Sequence, residues 1–443
     1  TKDAPISPPG VPFALTQTGD GKALRDTYFG EPGFDDSDRD MANLGIEISH
    51  QMDNGWTLSQ GFRAERFDWT YTGHYVSGLT DDGLSVARGA NFQDESTTGL
   101  NLDTRLSNSI TTGSVTHDLL LGLDIRQYDA DTTTQFFFGQ PIDASDPVYG
   151  GLPATPAWYT SISDISQKQV GLYAQDEITV GNWRGSLAIR QDWTEQTGTK
   201  FTNFDGDTPI DQSDSATTGR VGLGYVLANG VMPYASYSTS FDPTIGIDDT
   251  TGETLDPTEG KQWEVGVKYQ PAGFDGLFSA AVYDLTQQNL VRNLGQGRRR
   301  QVGEVRSKGL ELEATAALSA AWDLRASYAF NETEQKGGPE DGLEMPNAPR
   351  HLASLWLDRD FGNGLRAGGG IRHIGERKGD FGNTFDLDSV TLVDLAATYT
   401  RGNIEASVNL NNVTDEVYLA NCGSFGCYYG EGRSVAAKVV YTW

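Results

Sequence analysis

Residues 434–443 read Ser-Val-Ala-Ala-Lys-Val-Val-Tyr-Thr-Trp, and the reading of this stretch decides the fold. Val435, Ala437, Val439, Tyr441 and Trp443 share one parity, while Ser434, Lys438 and Thr442 share the other, interrupted by Ala436 and Val440. Successive side chains of a strand project to opposite faces, so the segment is a strand with one apolar and one mostly polar side. It finishes on an aromatic, as the closing strand of a membrane barrel does when its aromatics sit at the lipid–water interface. Tyr441 and Trp443 are therefore expected to serve as a membrane-insertion signal.

The same two-step recurs upstream. Ile404, Ala406, Val408 and Leu410 alternate with Asn403, Glu405, Ser407 and Asn409. Trp322, Leu324, Ala326, Tyr328 and Phe330 alternate with Asp323, Arg325 and Ser327, and Trp263, Val265, Val267 and Tyr269 with Glu264 and Lys268. Full charges on the polar face argue against a dry sandwich core, where an unpaired charge is costly. One face is expected to meet lipid, the other water or a lumen.

Composition agrees. A length of 443 residues would by itself suggest about three domains, but the strand texture is uniform throughout. The mean hydropathy of −0.45 is too polar for a helical membrane protein. No run approaches the roughly 20 apolar residues of a spanning helix, whereas a barrel exposes only every second residue to lipid. A net charge of −28 argues against nucleic acid as a partner and places acidic residues in loops and lumen. The two cysteines, Cys422 and Cys427, lie in CGSFGC. Their closeness in a loop suggests a local disulfide in an oxidising compartment; a free thiol pair or a metal site is the alternative.

Turn signals divide the chain into seventeen strands. Asp53-Asn54-Gly55, Gly181-Asn182, Asn229-Gly230, Gly362-Asn363-Gly364 and Arg401-Gly402 read as tight hairpins, and 133–165, 198–214, 242–259, 335–347 and 415–429 as long polar loops. Short turns at one end and long loops at the other are the mark of periplasmic and extracellular ends. Residues 1–40 then fall in an extracellular loop segment, and 41–443 form barrel. Single-chain bacterial barrels have even strand numbers, so an odd count points to the C-terminal part of a larger barrel.

Several motifs, in order, resemble the TonB-dependent outer-membrane receptors: Gly171–Glu177 (GLYAQDE), Leu187–Trp193 (LAIRQDW), Pro233–Pro243 (PYASYSTSFDP), Leu255–Tyr269 (LDPTEGKQWEVGVKY), Arg306–Glu313 (RSKGLELE) and Asn411–Tyr418 (NNVTDEVY). The last loop, Asn421–Gly430 (NCGSFGCYYG), is similar to ferrichrome and ferric-hydroxamate siderophore receptors in particular. The family usually ends in Phe, where this sequence has Trp443. The resemblance implies an all-β, transmembrane antiparallel β-barrel of a probable 22 strands, with about 17 present and the N-terminal plug domain absent from this chain. It implies an outer-membrane receptor of a Gram-negative bacterium that binds a ferric siderophore for TonB-energised uptake. Iron(III) is carried as the siderophore complex, with no covalently bound cofactor and no catalytic or metal-ligating residue. The implied partners are the siderophore, the TonB–ExbB–ExbD energy-coupling complex acting through the N-terminal region, and outer-membrane lipid and lipopolysaccharide; the implied state is a monomer.

Such ligands are bulky and weakly charged, which suits a concave aromatic bowl. The expected ligand-binding residues are Phe138 and Tyr75, which match family positions, together with Phe137, Phe13, Phe425, Tyr428 and Tyr429. Phe136, Tyr149, Trp158 and Tyr159 lie in the same loop as Phe138. Arg298, Arg299 and Arg300, with Arg292 nearby, are the one dense basic cluster; they read as a solvated loop, or as a site for an anionic chelate or lipopolysaccharide phosphate. Two alternatives stay open: a passive porin, and a receptor for a catecholate siderophore or cobalamin. Five scattered histidines and no recognisable nucleophile–base order give no enzyme.

Overall fold

A computed structural model describes residues 8–18, 20–81, 83, 85–295 and 298–443. The first seven residues of the expected 1–40 segment lie outside the described residues. The main sheet has 18 strands, one of them the two-residue Ile142–Asp143. The other seventeen follow one another along the chain, each antiparallel to the next, as an up-and-down meander. It opens with β1 (Asp36–Gln51), β2 (Thr57–Leu79), β3 (Ser85–Thr112) and β4 (Val115–Phe138) and closes with Ser434–Tyr441. Each of the seventeen strands read from the sequence is present. The first begins at Asp36 rather than near residue 41, because Asp36–Asp40 continue the ladder opposite Asp68–Thr72.

Pairing makes the alternation a continuous surface. Along the last hairpin Ile404 faces Tyr441, Ala406 faces Val439, Val408 faces Ala437 and Leu410 faces Val435. Val435, Val439 and Tyr441 are 64%, 72% and 58% exposed, an apolar surface of the kind a barrel turns to lipid. On the strand Trp183–Thr202, Trp183 and Trp193 point to this outer face, with Leu187 and Ile189 between them. Ten residues of tilted strand span roughly 25 Å, the height of a barrel's apolar band, so the two tryptophans mark its two edges.

The opposite face is charged and paired. Arg190 donates to Asp124 at 2.9 Å and to Asp192 at 2.7 Å, and Tyr173 donates to Asp103 at 2.8 Å. Arg366 pairs with Asp323 and Arg372 with Asp394, both at 2.5 Å. A cleft of about 710 Å³ on this wall is lined by Asp103, Asp124, Arg126, Tyr173, Arg190 and Glu264 among others. Charges that leave bulk water persist when paired and hydrogen-bonded, as here.

One loop expectation fails. Residues 198–214 are mostly strand: Thr194–Thr202 pair with Gly206–Asp214 and only 203–205 turn. The segment carries four Asp and three Thr, with Phe201, Phe204 and Ile210 too sparse to alternate, so the apolar signal is missing although the ladder continues. The expected loop 133–165 likewise shrinks to 139–158, since Thr133–Phe136 pair with Tyr159–Ile162.

The described residues between 8 and 35 do not trail away. Val11 exchanges backbone hydrogen bonds with Cys427 at 2.8 and 2.7 Å, and Lys22 and Arg25, on the short helix Gly21–Asp26, pair with Asp415 at 3.2 and 3.1 Å. The start of the chain is therefore docked on the last long loop, which shows that the meander curls back on itself at the end carrying the long connections.

Candidate functional site

At that end, alternation and register gather aromatic rings on the inner face. Tyr75 pairs with Gly89 and Gly89 with Phe138; Asn91 pairs with Phe136 and Phe136 with Tyr159. Partners in register share a face, so Tyr75, Phe136, Phe138 and Tyr159 all project inward. Gly89 is required: a Cβ there would collide with the Tyr75 ring lying across it. Tyr75, Phe136 and Tyr159 are 8%, 5% and 4% exposed, with Trp158 and Phe425 packed against them.

Ring centroids are 5.0 Å apart for Tyr75–Phe425, 5.7 Å for Tyr75–Phe136 and 6.0 Å for Phe136–Tyr159. Phe138 is 66% exposed and stacks on Trp158 at 5.8 Å, and Phe204 stacks on Tyr159 at 6.0 Å. These separations are those of favourable aromatic pairs. The rings thus form a connected row from Phe425 through Tyr75 and Phe136 to Tyr159 and Phe204.

Phe425 comes from far along the chain. It sits at the tip of a hairpin, Leu419–Gly423 with Gly426–Tyr429, which the Cys422–Cys427 disulfide crosslinks. Gly426 has φ +95°, the left-handed region that favours glycine.

The other expected residues divide differently. Phe13 stacks on Phe385 at 3.7 Å and packs beside the disulfide and Leu387. Tyr429 packs on the cluster of Val11, Leu24, Phe29, Val76, Val86 and Ile142. Tyr428 lines a cleft with Pro9, Gly10 and Thr27, and burial pushes its phenol above the usual pKa, as it does for Tyr429. Phe137 has the parity of Leu121, Leu123 and Ile125 and so takes the outer face. Phe136, Trp158, Tyr159 and Phe204 join the row without having been singled out as ligand contacts. The parity of Phe136 with Asp124 and Arg126 was the available signal for the first of them.

The arginine cluster is partly neutralised. Arg292 pairs with Glu340 at 2.8 Å and lies 3.9 Å from the centre of the Phe381 ring. Arg300 approaches Glu340 at 3.7 Å, and the backbone N–H of Arg299 donates to Asp249, which also pairs with Lys200. Three loops are tied together there.

A second polar group anchors the N-terminal segment. The buried Asp35 carboxylate accepts from the Tyr28 hydroxyl at 2.5 Å and from the Glu31 and His74 backbone N–H groups at 2.7 and 2.9 Å, and its Oδ1 lies 2.7 Å from His74 Nδ1. Glu31 in turn accepts from the Gly150 and Gly151 N–H groups.

A wall that is apolar outside, charged inside, and roofed at one end by interlocked loops over aromatic rings defines the class, an outer-membrane β-barrel with a covered mouth. Residues 3–413 match the family described as TonB dependent receptor-like, beta-barrel. The chain belongs to that family, whose members are receptors of the Gram-negative outer membrane. It is 36% identical over 451 residues to the ferrioxamine B receptor of Salmonella typhimurium, covering 98% of this chain and 63% of that protein. It is 30% identical over 444 residues to the ferrichrome outer membrane transporter/phage receptor of Escherichia coli K12, covering 91% and 58%. The chain thus spans about three-fifths of the length of these relatives. The crystal structure of the siderophore receptor PiuA from Acinetobacter baumannii superposes with a TM-score of 0.81 at 19% identity, covering 97% of this chain and 69% of that one.

Proposed function

We propose that this chain is the larger, C-terminal part of a receptor barrel that binds a ferric siderophore at its extracellular mouth, hydroxamate type favoured, for TonB-energised uptake. The observation that carries the reading is the Tyr75–Phe425 contact, with Phe136 and Trp158 beside it. A ferric trishydroxamate is compact, with methylene and amide groups outermost and little net charge. Aromatic rings with few charged neighbours suit it, because they remove apolar surface from water without stranding a charge. The ferrioxamine B and ferrichrome names of the relatives favour the same ligand class.

In this reading Tyr75, Phe138 and Phe425 contact ligand, and Trp158 and Phe136 support them. Phe13, Tyr428 and Tyr429 act one layer back, holding the disulfide hairpin and the N-terminal segment, and Phe137 meets the outside. Iron travels as cargo within its chelate. Energy would come from TonB–ExbB–ExbD acting through the part of the receptor N-terminal to this chain, which also supplies a plug domain and the remaining strands. Lipid and lipopolysaccharide surround the outer face, and the receptor works as a monomer. The test is iron-starved growth of a deletion strain. Loss of growth on ferric hydroxamates with growth on ferric catecholates intact supports the proposal; unchanged uptake of every ferric siderophore rejects it.

A further inference from the structure

The disulfide hairpin that presents Phe425 is a two-stranded ribbon, and such a ribbon alone is marginally stable. Here both of its edges are held. The Gly426–Tyr429 edge is paired by the backbone of Val11 through Cys427. The Leu419–Gly423 edge is held by side chains from two other loops. Asn347 Nδ2 donates to the Cys422 carbonyl at 2.9 Å while the Cys422 N–H donates back to Asn347 Oδ1 at 3.0 Å. Arg377, only 4% exposed, donates through Nη2 to the carbonyls of Leu419 and Ala420, both at 2.6 Å.

The Asn347 amide thus completes the ladder of a strand edge as a backbone partner would, using one donor and one acceptor. It does so from a left-handed backbone position, φ +57°, which Asn and Gly tolerate and most residues do not. Its own N–H donates to the Lys378 carbonyl at 2.8 Å, so Asn347 and Arg377 brace one another's loops as well as the hairpin.

We propose that Asn347 and Arg377 are positioning residues for ligand recognition: they clasp the disulfide hairpin so that Phe425 is held against Tyr75. The inference rests on the proposed siderophore site. It assigns part of the affinity of that site to an amide and a guanidinium that bond the hairpin backbone.

Asn347→Gly is the informative variant, because glycine keeps the left-handed backbone and removes only the amide. In the full-length receptor, folding being checked by heat-modifiable migration, N347G should weaken binding of ferric ferrioxamine B about five- to tenfold, the loss of one or two hydrogen bonds. F425A should weaken it at least as much. The double variant should match F425A alone, since the clasp acts only through the ring it holds. A merely structural role would give additive losses. In parallel, dithiothreitol should reduce the Cys422–Cys427 bond several-fold faster in N347G and in Arg377→Met than in wild type. Equal reduction rates, or additive binding losses, overturn the clasp. Absence of saturable binding of ferric ferrioxamine B and of ferrichrome in wild type overturns the hydroxamate reading instead, and the reduction rates still decide whether the clasp exists.

Discussion

The barrel has a tall half and a short half. Among the seventeen strands of the meander, those from β2 to Gly206–Tyr225 are 20–28 residues long, whereas those from Val231 onward have 8–16. A tilted spanning strand needs about 9–11 residues. The short half therefore does little more than cross the membrane and spends its sequence on loops, among them 337–350, 375–389 and 412–433. The tall half continues beyond the Trp193 level as a two-faced polar wall with aromatics at its inner crest. In the proposed reading recognition is divided: the wall carries Tyr75, Phe136 and Tyr159, and the clasped loops bring Phe425 against Tyr75 from the other side.

The sharpest way to break this contrast is to place one charge on the outer face in each half. Val439→Lys lies in the lipid-facing band of the short half and should cost about 2–4 kcal/mol, read as loss of assembled barrel and a lower urea midpoint in lipid vesicles. Ile162→Lys also points outward but pairs with Phe201, eight residues beyond Trp193, and should be nearly neutral. Comparable losses for the two would remove the tall wall from water. Removing Tyr441–Trp443 should also lower insertion yield without touching ligand contacts in the barrels that do assemble.

The contribution of the wall comes next in size. Tyr75→Ala should weaken ferric hydroxamate binding about ten- to thirtyfold, the usual loss for a buried aromatic anchor, while Phe137→Ala changes it little. Equal effects from both, measured by titration, would mean that parity does not decide which rings meet ligand.

The smallest effect concerns the anchor of the N-terminal segment. Burial opposes ionisation of Asp35, yet the hydrogen bonds from His74, Tyr28 and the Glu31 N–H outweigh it and hold the carboxyl below its ordinary pKa. A depressed carboxylate contributes stability above its unfolded pKa of about 3.9, and that contribution is lost as pH falls through the folded value. Cleavage within residues 28–35 by an acid-active protease should therefore rise below about pH 4, and Asp35→Asn should be cleaved at about pH 7 by a protease active at neutral pH. Protection unchanged in D35N would show that the ion cluster does not hold the segment.

The meander was legible wherever one face met lipid. Val435 to Tyr441 and Ile404 to Leu410 alternate because hydrocarbon on one side and water on the other demand it, and their register follows. Past Trp193 that demand ends. Gly198, Thr199, Lys200 and Thr202 give no lipid-facing alternation, so the ladder that continues to Thr202 reads as a loop from residue 198. The mouth was half legible. Tyr75 and Phe138 stood out by resemblance alone, and Phe136 could have been found by counting parity up from Asp124. Contacts such as Asn347 with Cys422, 75 residues apart, leave no mark in either local segment, because an exposed Asn in a loop has many ordinary reasons to be there.

The most direct measurement is titration of the full-length receptor with ferric ferrioxamine B, following tryptophan emission. Saturable quenching in wild type, abolished in Tyr75→Ala/Phe425→Ala with the barrel still heat-modifiable, is expected if these two rings hold the ligand. Saturable quenching of unchanged affinity in that double variant would contradict it.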